Sequence, residues 1–185
     1  MQSVTFNRVE QLDTARHNRD SFTCGVPQFD VFLRQKARKE SPDLSLTFVL
    51  TYAEEPGDIA GYYSISATKL SADELPEPVK KKIGQYGAIP ATLLGRLATA
   101  QKFQRNRELR VGELLLIDAL FRTYQASLNV ASFGLIIDVL KSENNDPVGF
   151  CTKYGFIDCS EIANRMYLPM ATTKSILVRT GLIEK

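Results

Sequence analysis

Two apolar runs around a short polar break constrain this chain more than any other feature. Residues 44–53 read LSLTFVLTYA, residues 59–67 read IAGYYSISA, and Glu54-Glu55-Pro56-Gly57-Asp58 lies between them. Branched and aromatic side chains suit a pleated surface and Pro-Gly is a strong turn signal, so the pattern predicts a β-hairpin turning at 54–58. Pro27 stands where a helix begins, followed by Phe29, Phe32, Leu33 and Ala37 at helical spacing. Gly112 to Gln125 is a second helix, with Leu115, Leu116, Ala119 and Leu120 on its core face.

Further strands are expected at Val4 to Arg8, Ala91 to Ala100, Val130 to Leu140, Phe156 to Cys159 and Met166 to Met170. A short surface helix belongs between Lys69 and Pro90, and another follows Asp146-Pro147, with Gly155 placed to close it in a left-handed conformation. The order β, α, ββ, short α, βα, βα, ββ predicts an α/β fold with a mixed sheet and helices on its faces. No repeat or linker interrupts it, so residues 1–185 are expected to form a single domain.

With 23 Lys+Arg against 21 Asp+Glu the formal charge is only +2, which argues against a wholly electrostatic nucleic-acid binder but leaves room for a local basic patch. The basic candidates are the run Lys80-Lys81-Lys82 and the segment 102–110, which carries four basic residues and one acid. The N-terminus lacks an apolar leader and no stretch is long enough to span a bilayer, so no membrane role and a cytoplasmic location are expected. Cys24, Cys151 and Cys159 form no metal-ligand pair, so neither a zinc site nor a disulfide framework is expected. A single histidine, His17, leaves little for a Ser-His or Cys-His hydrolase, and a surface or capping role suits it better.

Six local signatures carry a resemblance that covers residues 4–170. They are Phe22-Thr23-Cys24-Gly25 before a helix, Gly61-Tyr62-Tyr63-Ser64 on a strand, Leu94-Gly95-Arg96-Leu97-Ala98-Thr99, Gly112-Glu113-Leu114-Leu115 opening a helix, 150–156 (FCTKYGF) and 165–170 (RMYLPM). In this order the chain resembles the GNAT acyl-CoA N-acetyltransferases, and among them the toxins of bacterial toxin-antitoxin modules. The resemblance implies a mostly antiparallel sheet, splayed at the strand that meets the cofactor. It implies acetyl-CoA as cofactor and the α-amine of an amino acid carried on tRNA as acceptor, so that acetylation blocks translation. It also implies a small ribbon-helix-helix antitoxin as partner, and a homodimer. Rival readings are a small amine or a protein as acceptor, or a scaffold that binds without turnover.

By the same resemblance, backbone on Leu97, Ala98 and Thr99 pairs with the pantetheine arm, and the helix start at Val111, Gly112 and Glu113 meets the pyrophosphate, as unpaired amides at a helix N-terminus favour an anion. Asn145 and Phe150 lie where the cofactor passes, although Asn144 and Asn145 are also ordinary turn residues. The family loop reads Gln or Arg, two residues, Gly, one residue, Gly or Ala. Here Arg107 takes the leading position, Arg110 replaces the first glycine, and the loop is about three residues longer. Arg105, Arg107 and Arg110 are then candidates to grip phosphate directly, from cofactor or RNA. Lys80, Lys81, Lys82 and Arg96 are the candidates for tRNA, and Arg96 suits an acid across the sheet equally well.

Where toxin-type members carry a Phe-Tyr pair, whose tyrosine protonates the departing thiolate, this chain has Phe150-Cys151. Cys151 is a substitute acid or a buried filler, the two standing equal, and an acyl-accepting nucleophile comes last, since no histidine in the sequence activates it. Asp138, at the end of a strand, could orient substrate or simply bond a loop.

Overall fold

The computed structural model describes residues 4–84, 87–104, 106, 108–140, 147–159 and 162–184. In chain order the elements are β1 (Glu10–Gln11), α1 (Pro27–Val31), a π-helical turn (Phe32–Lys36), α2 (Ala37–Glu40), β2 (Leu46–Tyr52) and β3 (Glu55–Leu70). A 3-10 turn (Ala72–Glu74), α3 (Glu77–Ile83), β4 (Ile89–Thr99), α4 (Gln101–Gln104) and α5 (Val111–Ser127) follow. The chain ends with β5 (Gly134–Asp138), α6 (Val148–Lys153), β6 (Ile157–Asp158), β7 (Arg165–Pro169) and α7 (Met170–Arg179). The strands pair in the order β1-β2-β3-β4-β5-β7-β6. Its contacts gather in two compact units, one of residues 1–66 and 95–119, the other of residues 67–94 and 120–185.

In the first unit the hairpin forms, but its turn is tighter than the sequence predicts. Tyr52 faces Glu55 directly, so Pro56 and Gly57 fall inside β3, where the register slips twice between Leu50 and Tyr52. Proline has no N–H to give a ladder. Asp58 fixes the irregular stretch instead, accepting from Asn18 at 3.0 Å and Ser21 at 3.3 Å, while Asn18 N–H bonds Gly57 O at 2.7 Å. Val4 to Arg8 is not a strand: Phe6 makes one isolated bridge to Tyr52, and β1 lies further on, pairing Glu10 and Gln11 with Val49 and Phe48. Pro27 sits in the first turn of α1 as expected. Inside the unit Phe32, Leu33, Val49, Leu50, Tyr62, Tyr63, Leu115 and Leu116 are buried.

In the second unit β5 is the organising strand, parallel to β4 over Thr92–Leu94 and antiparallel to β7 over Gly134–Asp138. The expected strand from Val130 to Leu140 shrinks to these five residues. Val130 is 73% exposed, and Phe133 bonds out of ladder register, to Pro90 O at 2.7 Å and from Met170 N at 3.0 Å. Gly155 closes α6 as predicted, with φ of +87°. Phe156 N–H reaches Cys151 O at 3.2 Å and Gly155 N–H reaches Thr152 O at 2.9 Å, the paired bonds of a Schellman cap. Helix α7 was not expected; Thr173, Ile176 and Leu177 form its buried face. A core of Leu70, Leu75, Ile89, Ala91, Ile136, Cys159 and Tyr167 fills the unit.

Candidate functional site

Strand β4 carries the signature LGRLAT past the end of its pairing with β5. Parallel pairing stops at Leu94 opposite Ile137, while β4 itself runs on to Thr99. Ala98 is buried, and Leu97 and Thr99 are partly buried. Gly61 on β3 is what allows this packing. A Cβ there would lie 2.8 Å from Ala98 O, 2.7 Å from a Leu115 methyl and 3.1 Å from a Val111 methyl, so only glycine lets the start of α5 close down on the strands.

Sequence reasoning missed Gln104, which ties these pieces together. Its amide nitrogen donates to Thr99 O at 2.7 Å and to Cys24 O at 2.8 Å, so one side chain binds the end of β4 to the Thr23-Cys24-Gly25 turn. That turn is fixed from the other side by the buried Asp30, which accepts from Cys24 N–H and from the Thr23 hydroxyl, both at 2.8 Å. No sequence signal marked it, since Arg107 and not Gln104 takes the leading position of the family loop. Arg105, Arg107, Asn144 and Asn145 lie outside the described residues.

Helix α5 begins at Val111, one residue before the expected start, and Arg110 precedes it with φ of +49°. The position is therefore left-handed, a conformation that glycine holds freely and that costs a side-chain-bearing residue about 1 kcal/mol. Arg110 O accepts from Glu113 N at 2.9 Å and Leu114 N at 3.0 Å, and its guanidinium grips the Glu113 carboxylate through Nε at 2.7 Å and through Nη2. Arg110 and Glu113 are thus paired with one another.

Arg96 lies in the same unit with its guanidinium carbon 3.5 Å from the centroid of the Phe32 ring. No acid sits across from it among the described residues, so the alternative of a cross-sheet ion pair is not realised. Tyr62 stacks on the same ring at 6.1 Å, and burial, then the Cys24 thiol, push its phenol far above the usual range.

The remaining candidates belong to the second unit. Cys151 on α6 is 2% exposed, and burial pushes its thiol up to about 11. Phe150 is partly buried and packs against the Tyr154 ring at 5.1 Å. Lys80 is engaged by Asp73 at 2.5 Å and Glu77 at 3.9 Å, leaving Lys81 and Lys82 as the exposed members of the run. Asp138 is clasped by Arg165 through two bonds of 2.6 and 2.9 Å, and Arg165 reaches Glu74 at 3.1 Å with its third nitrogen, so Asp138 bonds a neighbouring strand. His17, in the first unit, is buried at 5%, not on the surface. Its Nδ1 accepts from Asp13 N–H at 2.9 Å, which leaves Nε2 to donate to Glu10 at 3.1 Å and makes it a turn cap.

No protein-family model matches the chain. The chain is similar to a probable toxin TacT of Sinorhizobium fredii, 28% identical over 173 residues, covering 91% of this chain and 94% of that one. Among solved structures it is similar to AtaT complexed with acetyl-methionyl-tRNAfMet, at 26% identity and a TM-score of 0.78, over 95% of this chain and 99% of AtaT. A structure of AtaTR bound with AcCoA aligns at 25% identity and a TM-score of 0.75, over 94% and 98% of the two chains. A mutant of KacT has the same fold at 24% identity and a TM-score of 0.81, over 93% and 99%. No helix among the described residues is long and apolar enough to cross a membrane. In fold, in the order of its signatures and in length, the chain is similar to the GNAT-fold acetyltransferase toxins of toxin-antitoxin modules.

Proposed function

We propose that this protein is an acetyl-CoA-dependent N-acetyltransferase that acetylates the α-amine of an aminoacyl-tRNA and so acts as a translation-blocking toxin in the cytoplasm. The observation that carries this reading is the likeness, over 95% of the chain, to a protein captured with acetyl-methionyl-tRNAfMet. An acetylated α-amine cannot attack the next ester, so the product is a dead end for elongation. An antitoxin is the expected protein partner; its ribbon-helix-helix form and a homodimeric toxin are the finer parts of the proposal.

The residues present fit acetyl-CoA. Leu97, Ala98 and Thr99 lie on β4 beyond its pairing with β5, and would bond a strand-like pantetheine arm through their backbone. Arg110 keeps the left-handed turn that opens α5, so Val111, Gly112 and Glu113 start a 17-residue helix whose positive end suits a pyrophosphate. Acetyl-CoA, when bound, supplies an acetyl group activated as a thioester. The chain's own part is to hold β4, the 23–25 turn and the helix start in fixed relation, which Gln104, Asp30 and the close approach at Gly61 do.

Cys151 is a packing residue in this reading. With its thiol pushed up to about 11 it holds its proton at neutral pH and is no nucleophile. Giving that proton to a free thiolate of ordinary pKa, about 8.5, runs uphill by roughly 3 kcal/mol. Calorimetric titration with acetyl-CoA and with CoA at two salt concentrations tests the reading. Saturable micromolar binding is expected; no heat and no thermal stabilisation at millimolar cofactor would overturn it.

A further inference from the structure

Among the described residues, Arg96 stands apart from the arginines whose surroundings are settled. Arg16, Arg19, Arg34, Arg110 and Arg165 each bond a carboxylate or a carbonyl. Arg8, Arg38 and Arg179 are exposed and solvated. Arg96 is partly buried, and among the described residues its N–H groups meet no carboxylate and no carbonyl. Withdrawing a guanidinium from water without an anion is costly.

The surroundings hold it in one orientation. One planar face lies 3.5 Å over the Phe32 ring. Phe32 is 1% exposed, set by the π-helical turn, and stacked on Tyr62 at 6.1 Å with 19° between the rings. Tyr62 is pinned by its hydroxyl, which donates to Phe29 O at 2.8 Å, and by Phe22, edge-on at 5.4 Å. A fork whose face is occupied and whose N–H groups meet no acceptor among the described residues fits an oxyanion with two acceptor oxygens.

We infer that Arg96 anchors the acceptor, its guanidinium held flat on Phe32 and its N–H edge receiving the phosphodiester of the acceptor's terminal nucleotide. The inference rests on the reading above, in which the acceptor is an aminoacyl ester. Its carboxylate is consumed in that ester and its amine must be neutral to react, so the anion nearest the reacting end is a phosphodiester. Arg96 therefore gives the enzyme a reason to prefer an amino acid on a nucleotide over a free one.

The test is steady-state acetylation of a charged tRNA by the wild type, Arg96→Lys and Arg96→Gln, at several salt concentrations, with acetyl-CoA affinity measured separately by calorimetry. Arg96→Lys keeps the charge and loses the fork, so KM for aminoacyl-tRNA should rise about 10- to 100-fold, the range for one charge-assisted hydrogen-bond pair. Its salt dependence should stay as steep as the wild type's. Arg96→Gln should raise KM at least as far and flatten the log–log salt slope by about 0.7 to 0.9, one phosphate contact. Acetyl-CoA affinity should stay within about twofold in both variants. Phe32→Leu, which keeps the site apolar, should raise KM by a smaller factor; should it fail to fold, the two Arg96 variants still decide. Unchanged KM and salt slope, or a loss confined to acetyl-CoA binding, would overturn the inference and leave the transferase reading intact. A wild type that binds acetyl-CoA but acetylates no aminoacyl-tRNA overturns both.

Discussion

Replacing Gly61 with alanine probes the packing on which the proposed cofactor site depends. The new methyl would stand 2.8 Å from Ala98 O, which is strand backbone and cannot rotate away, and 2.7 Å from a Leu115 methyl that is itself fully buried. Inserting a methyl into a filled core costs about 1 to 3 kcal/mol. The backbone contact puts this case in the upper part of that range, and the lower chain entropy of alanine in the unfolded state returns roughly 0.4 to 1 kcal/mol. The net destabilisation is about 2 kcal/mol. For a chain of this size that lowers Tm by roughly 4 to 8 °C. Gly87→Ala is the matched control, because a methyl there meets nothing within 4 Å. Scanning calorimetry of the two variants beside the wild type reads the difference. Because the strain falls on Ala98 and Val111, acetyl-CoA affinity should weaken in Gly61→Ala alone. A Gly61→Ala protein that melts within 1 °C of the wild type would refute the packing argument.

Other expectations follow from single side chains. Arg165→Met removes a fork that joins β5, β7 and the 3-10 turn. It should cost about 2 kcal/mol, partly by stranding the 12%-exposed Glu74, with urea midpoint as the readout. Glu113→Gln removes a negative charge from the start of α5 and weakens an exposed pair with Arg110 worth up to about 1 kcal/mol, so acetyl-CoA should bind about two- to fivefold more tightly in calorimetry; weaker binding would mean that the carboxylate orients Arg110 for the cofactor. Cys151, with its thiol at about 11, should carry roughly 200-fold less thiolate at pH 8 than an ordinary cysteine. Its alkylation followed by mass spectrometry should therefore be slow until the pH nears that value or the protein is denatured. Cys151→Ala should keep turnover within about threefold, while a loss of a hundredfold at unchanged Tm would restore the thiol to a chemical role.

What the sequence disclosed was local. The start at Pro27, the apolar stripe of α5 and the Schellman glycine at 155 each follow from residues within a turn or two of one another, where covalent geometry and periodicity decide. The hairpin was legible, but its turn was not. Pro56-Gly57 looks like a turn in isolation, and only Asn18 and Ser21, some forty residues away, hold it inside the strand. Helix α7 left a faint signal in Thr173, Ile176 and Leu177, too short to distinguish from a loop beside Pro169. The candidate site was legible as signatures but not as contacts. Gln104 bonds a carbonyl 80 residues earlier, and Arg96 lies on a ring from the first helical segment, so no window of sequence contains either partner. Arg110 was read as a lost glycine; its backbone is left-handed, as a glycine's can be without cost, and its side chain bonds Glu113.

The most direct test of the account is to incubate the purified protein with isotopically labelled acetyl-CoA and a pool of charged tRNAs, release the aminoacyl ends with ribonuclease, and identify the products by mass spectrometry. The account predicts labelled N-acetyl-aminoacyl-adenosine, restricted to one or a few amino acids and absent when the tRNA is deacylated beforehand. Tight binding of acetyl-CoA with no label on any aminoacyl end, or with label on free amines and peptides instead, would contradict it.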